Sequence, residues 1–301
     1  MYHSIQDLID QANSRQLPLS QVILENEMAF TDKTEQEVYE SLDRHYEVMT
    51  ASAQKALAQP QEMIGGLISG QAAKQHNYGQ ALSGDYLNNV MAMALSGSEV
   101  NAAMGLVCAA PTGGASGVLP AVLLATGQKL GSTRKQLLNA LLVASGVGAV
   151  ITKNATVSGA EGGCQAECGA AGAMGAAAIV SLAGGSPEAC ANAVAIALMN
   201  CMGLVCDPVA GMVQLPCSYR NASQAVNAII SADMALAGQD SVIPADEVIE
   251  AMYRVGKQLP VELRETALGG IAASKTAKHI ASKLTNGELN SYCVDKTLSR
   301  P

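Results

Sequence analysis

Cys168-Gly-Ala-Ala-Gly-Ala-Met-Gly-Ala-Ala-Ala-Ile-Val-Ser-Leu-Ala-Gly-Gly-Ser-Pro187 contains no Asp, Glu, Lys or Arg and is mostly Ala and Gly. A segment that is apolar on every side reads as a buried helix, not as an amphipathic surface one. Residues 100–128 and 189–206 are also free of charge. By length alone these runs would suit membrane spans. Pro111, Pro120 and Thr112-Gly113-Gly114 interrupt the first of them, and the chain has no Trp and only Phe30 as phenylalanine, so aromatic interfacial belts are missing. The expectation is a set of Ala/Gly-rich helices packed closely inside a protein, with no membrane segment.

Outside these runs, helix signals dominate. Thr34-Glu35-Gln36-Glu37 reads as a capping box, followed by Val38, Leu42, Tyr46 and Met49 on one face. Ser186-Pro187-Glu188 opens a helix towards Cys201, and Pro244-Ala245-Asp246-Glu247 opens another carrying Val248, Ile249, Met252 and Val255. No sustained alternation of apolar and polar residues marks a strand. The expected fold class is all-α, with Ala/Gly-rich buried helices interrupted by irregular loops at 110–117, 153–163 and 206–217. Residues 1–60 read as an outer helical layer, 61–275 as the functional domain and 276–301 as a surface tail.

The 301 residues suffice for a substantial core, and the net charge of −8 argues against a nucleic-acid surface. Eight cysteines follow a start with neither a basic segment nor an apolar signal core, which points to a reducing, cytoplasmic setting. Cys164 follows Gly162-Gly163, and Cys206 and Cys217 bracket Asp-Pro-Val-Ala-Gly-Met-Val-Gln-Leu-Pro, where the backbone must bend. Neither pair has the short Cys-x-x-Cys spacing of zinc ribbons. Three thiolates without an obvious fourth suit an iron–sulfur cluster with one iron open to substrate; a non-catalytic cluster for electron transfer or storage would need four. Cys108, Cys190 and Cys201 lie among apolar residues and read as core thiols, and Cys168 stands four residues after Cys164.

Thr112, Gly113 and Gly114 precede an apolar stretch that starts a helix, an arrangement suited to an anionic group such as an amino-acid carboxylate. Asn154 and Ser158 belong to a polar, Gly-rich segment between apolar helices and are candidates for the same site. Arg264 is a candidate carboxylate clamp or a structural partner of a Glu. His76 and Lys74 are candidate bases or exposed helix-end residues. Met104-Gly-Leu-Val-Cys108 recurs as Met202-Gly-Leu-Val-Cys206, which suggests two helix–loop units facing each other. A pyridoxal-phosphate enzyme is disfavoured, since neither a Schiff-base lysine nor a phosphate-cradling loop is convincingly placed.

Taken together, Asn101-Ala-Ala-Met-Gly, Ala110-Pro-Thr-Gly-Gly-Ala, Asn154-Ala-Thr-Val-Ser-Gly-Ala-Glu-Gly-Gly-Cys-Gln-Ala-Glu167, Gly203-Leu-Val-Cys-Asp-Pro-Val-Ala-Gly211, Leu215-Pro-Cys217, Arg220-Asn-Ala222 and Arg264-Glu-Thr266 resemble the iron–sulfur-dependent L-serine dehydratases, specifically the α chain of the two-subunit form. The resemblance implies a [4Fe–4S] cluster held by Cys164, Cys206 and Cys217, and conversion of L-serine to pyruvate and ammonia without pyridoxal phosphate. L-cysteine desulfidation is the alternative within the same chemistry. Single-chain relatives carry a cysteine soon after the Arg-Glu-Thr motif and a β region with Ser-Ser-His-Thr, neither of which follows here. The resemblance therefore implies a separate β subunit in a hetero-oligomer, with Cys293 as a candidate fourth ligand and the catalytic base supplied by either chain.

Overall fold

The computed structural model describes residues 2–287 and Leu289, so Cys293 lies outside the described residues. In chain order the helices are α1 (Ile5–Arg15), α2 (Leu19–Thr31), α3 (Glu35–Ala58), α4 (Gln71–His76), α5 (Gly84–Ala102), α6 (Val118–Leu130) and α7 (Arg134–Asn154). They continue with α8 (Gly159–Gly162), α9 (Ala170–Leu182), α10 (Pro187–Met199), α11 (Cys217–Leu236), α12 (Ala245–Gln258) and α13 (Lys275–Thr285). Among the described residues there is no strand, only one parallel bridge between Cys206 and Arg264. The protein is all-α.

The helix that the Ala/Gly run encodes is the centre of the molecule. Residues Ala170–Val180 of α9 are buried without exception, and α6, α7, α10 and α11 pack around it. Small side chains permit this crowding: Gly175 faces Val122 and Ala228, and Gly172 faces Gln224. A second group forms around α5, which packs on α3, α4, α6 and α11. At the α5–α6 crossing, a Cβ on Gly117 would clash with the Ala94 carbonyl, so only glycine allows the approach. The uncharged stretch of α7 is long and apolar enough to cross a membrane, yet 67% of that window is buried inside the protein.

Helix ends follow the expected chemistry. Thr34 and Glu37 form the capping box that opens α3, and Thr133 and Gln136 form another that opens α7. Ser186 caps α10, with Pro187 in its first turn. On α3, Val38, Tyr46 and Met49 are buried, whereas Leu42 is half-buried. Residues of α1–α3 share one hydrophobic cluster with α5–α7 and α9–α12.

One acid inside this shell organises a loop. Glu99 in α5 is fully buried and accepts backbone N–H groups from Gln61 (3.3 Å), Gly70 (3.0 Å) and Ala72 (2.7 Å). It thus fixes the irregular stretch before α4, and burial raises its pKa despite those bonds. Gln214 fastens the same stretch to the 206–217 loop, accepting from Leu67 N at 3.0 Å and donating to the Ile64 carbonyl at 2.6 Å. Glu99→Ala leaves the buried Gly70 and Ala72 N–H groups and the half-buried Gln61 N–H without an acceptor and is expected to cost about 3 kcal/mol. The urea midpoint measures this loss, and Glu99→Gln, which keeps an acceptor oxygen, is expected to lose clearly less.

Candidate active site

Three chain segments meet where the sequence bends most. The first is the 162–169 stretch, in which Gly163 adopts φ +76 and Gln165–Gly169 forms a π-helical turn, a distortion that recurs at functional sites. A Cβ on Gly163 would stand 2.7 Å from the Leu204 carbonyl, so the left-handed glycine brings Cys164 against the second segment. Gln165, fully buried, locks that approach: its N–H donates to Leu204 O (3.1 Å), and its Oε1 accepts from Gly203 N (2.8 Å). The second segment, 203–217, carries Cys206 and Cys217. Cys206 is clamped through its backbone, donating to Leu263 O (2.9 Å) and accepting from Glu265 N (2.7 Å). The third is the 110–117 turn, where Thr112 Oγ1 accepts from Ala115 N at 3.3 Å.

Asn221, with no exposed surface, ties these segments together. Its Nδ2 donates to Gly114 O (2.7 Å) and Cys217 O (2.9 Å) and reaches Cys168 Sγ (3.8 Å), while its Oδ1 accepts from Gly117 N (3.0 Å). Residues 111–117 and the 206–217 loop are therefore neighbours, as the repeated pentapeptide suggested.

Arg220 is the cation of the group. Its Nη2 pairs with Asp207 Oδ1 at 2.8 Å, and its Nη1 donates to Val205 O at 2.7 Å. Asp207 is 2% exposed and also accepts from Ile271 N at 2.6 Å. Burial opposes the guanidinium charge, but Cys164, Asp207 and Cys217 outweigh it and raise its pKa.

All seven described cysteines are free thiols. The hydrogen bond between Cys164 and Cys168 lowers the Cys164 pKa, with help from Arg220, and the same bond and burial push Cys168 well up. Burial raises Cys206, and it pushes Cys217 up to about 12. Cys190 and Cys201 point their thiols at the Ala177 and Leu198 carbonyls, and burial puts both at about 12.

Cys164, Cys206 and Cys217 lie within electrostatic reach of one another. Among the described residues no three His, Cys, Asp or Glu side chains could share a single metal ion. A four-iron cluster makes a different demand, since each cysteine binds its own iron and the thiolates stand apart around a bulky core. The donor set, three thiols beside one half-buried guanidinium and glycine backbone, fits such a cluster.

Of the other sequence candidates, Thr112 and Gly114 stand at this site. Thr112 hydrogen-bonds Glu167, and a Cβ on Gly114 would lie 3.5 Å from Glu167 Oε1. Gly113 is one residue away and faces Asn101 Oδ1. Arg264 is backbone-bridged to Cys206, and its buried Nε has no hydrogen-bond partner. Ser158 precedes Gly159, whose Cβ would lie 3.1 Å from Cys206 Sγ. Asn154 is turned to the N-terminal segment, donating to His3 O at 2.8 Å. Lys74 and His76 are exposed on α4. That helix approaches the thiols through Gln71, which accepts from Ser218 Oγ at 3.4 Å.

Glu167, Asp207, Arg220 and Asn221 received no role from the sequence. One signal was available for Glu167, an acid standing at the edge of a long uncharged run. An ionisable group there needs either a partner or a task.

The sequence model of the family described as serine dehydratase alpha chain matches residues 14–272. The chain is 46% identical to the probable L-serine dehydratase, alpha chain, of Bacillus subtilis, covering 97% of this chain and 98% of that one. It is 48% identical to the L-serine dehydratase, alpha chain, of Peptoniphilus asaccharolyticus, over 93% of this chain and 97% of that one. The L-serine dehydratase of Streptomyces coelicolor is 38% identical over 89% of this chain, which spans only 60% of that longer protein.

Removing Arg220 would strand the buried Asp207 carboxylate. Arg220→Ala is expected to lower stability by about 3–5 kcal/mol in urea titrations. Arg220→Lys, which cannot serve Asp207 and Val205 with one planar fork, is expected to lose part of this.

Proposed function

The chain belongs to the serine dehydratase alpha-chain family, and from that premise we propose that it eliminates water from L-serine to give pyruvate and ammonia, using a [4Fe–4S] cluster held by Cys164, Cys206 and Cys217. The observation that carries this reading is the meeting of three thiols from two chain segments, Cys164 and Cys217 among them standing in the field of the half-buried Arg220. A cluster held by these three cysteines would supply Lewis acidity for the departing hydroxyl.

The chain's own groups do the rest. The Gly113-Gly114-Ala115 turn, which Thr112 caps, offers N–H groups to the substrate carboxylate, and the unpartnered Arg264 Nε adds a charged donor. Ser158, next to Gly159 at the Cys206 thiol, completes the lining we assign, whereas Asn154 is engaged by His3. A base removes the Cα proton; Lys74 and His76 on exposed α4, or a histidine of a second chain, are the groups we assign to it. The enamine so formed tautomerises and hydrolyses to pyruvate and ammonia. Electron transfer or cluster storage would call for four cysteine ligands. Cys168 neighbours Cys164 and is held by Asn221 Nδ2 at 3.8 Å, and we assign it no ligand role.

The Bacillus subtilis and Peptoniphilus asaccharolyticus alpha chains have nearly this length, whereas the Streptomyces coelicolor protein is much longer. This supports a β subunit as partner in a hetero-oligomer. A reducing cytoplasm is the location we assign, since cluster ligands must remain reduced.

Anaerobic purification with a candidate β chain, followed by iron and sulfide counting, tests the ligand set. Cys164→Ala, Cys206→Ala and Cys217→Ala are each expected to lose the cluster and pyruvate formation. Cys168→Ala and Cys190→Ala are expected to keep the iron. A variant from the first group that retains both iron and turnover would refute the assignment.

A further inference from the structure

The mechanism above leaves Glu167 without a task, although its carboxylate occupies the gap between all three segments. A Cβ on Gly114 would stand 3.5 Å from its Oε1, and one on Gly159 would stand 2.5 Å from its Oε2. Cys206 Sγ lies 3.9 Å from that same Oε2, and Thr112 hydrogen-bonds the carboxyl group. Glycines on two sides thus let the backbone approach this carboxylate closely, and so hold it beside the thiols.

A second acid stands near it. Glu265 is held at φ 64 while its N–H donates to the Cys206 carbonyl at 2.7 Å, and its charge acts on Glu167. A left-handed backbone on a residue other than glycine is strained and is kept only where the surroundings enforce it. Among the described residues neither acid forms an ion pair. The half-buried Arg220 nearby is taken by Asp207, and Lys257 is taken by Glu161. Two neighbouring carboxylates with no cationic partner are suited to receive one.

Resting on the reaction proposed above, we propose that Glu167, assisted by Glu265, binds the α-ammonium group of the substrate and so selects amino acids over acids that lack the amine. The two ends of the substrate then meet opposite partners, with the ammonium at Glu167 and the carboxylate at the Thr112–Ala115 turn and Arg264. The β-carbon hydroxyl is left to face the cysteine trio.

L-Alanine and propionate differ only by the ammonium group, and neither has a hydroxyl to lose. Calorimetric titration of the holoenzyme with each therefore reads the contact independently of turnover. Glu167→Gln, which preserves shape and removes charge, is expected to weaken L-alanine about 10–100-fold, the worth of a charge-assisted hydrogen bond. Propionate is expected to change by less than about threefold, and KM for L-serine to rise in parallel with the alanine loss. Glu265→Gln, at an exposed position that does not threaten folding, is expected to act in the same direction more weakly. Equal weakening of both ligands, or unchanged alanine binding, overturns the inference while wild-type turnover of L-serine keeps the proposed function intact. Wild-type holoenzyme that makes no pyruvate from L-serine overturns both.

Discussion

Irregular backbone inside an apolar helical shell persists only if each of its peptide groups finds a partner, because water is absent to provide one. In this protein a few buried amide and acid side chains meet that demand. Asn221 alone uses both amide hydrogens and its carbonyl on three chain segments, joining Gly114, Gly117, Cys217 and Cys168. Gln165 does the same between 162–165 and 203–204, Gln214 between 64–67 and the loop before Cys217, and Glu99 for the stretch ahead of α4. The Ala/Gly content of α9 has the complementary role, letting helices approach until the loops at their ends touch.

Charge at the site is balanced differently from charge on the surface. Surface pairs such as Arg15–Glu25 and Arg254–Glu250 are exposed and contribute little. Inside, Arg220 faces Asp207, Cys164 and Cys217 together. Burial raises the Cys206 and Cys217 pKa values, and for Cys217 the arginine offsets only part of that. Any metal bound through these sulfurs would have to displace their protons, so its affinity would depend on pH.

Much of the fold could be read directly from local pattern. The capping box at Thr34, the Ser186-Pro187 start and the start of α12 at Ala245 are decided within one helical turn, by residues that touch each other. The buried helix α9 was equally legible, because a segment apolar on all sides has nowhere else to go. Site contacts were not legible in this way. Asn221 meets Gly114 across 107 positions, and Glu167 reaches Cys206 across 39; no periodicity encodes either pairing. Asn154 shows the converse. Its place in a motif suggested the substrate, whereas its side chain is engaged by the His3 carbonyl.

The repeated pentapeptide shows why identical residues do not guarantee identical roles. Met104 sits at φ 58 and is 91% exposed, and Leu106 is also exposed, since no neighbouring segment covers this copy. Its cysteine, Cys108, opens instead onto a cavity of about 320 Å³ behind Pro111, lined by His45, Leu119 and Met174. In the second copy, Leu263 and Glu265 bond the backbone of Cys206 on either side of Arg264, and Gln165 captures Gly203. The thiol is thereby held against Glu167 and Gly159. The partners that fold back onto the pentapeptide, rather than the pentapeptide itself, make one of these cysteines a candidate ligand and leave the other lining a cavity.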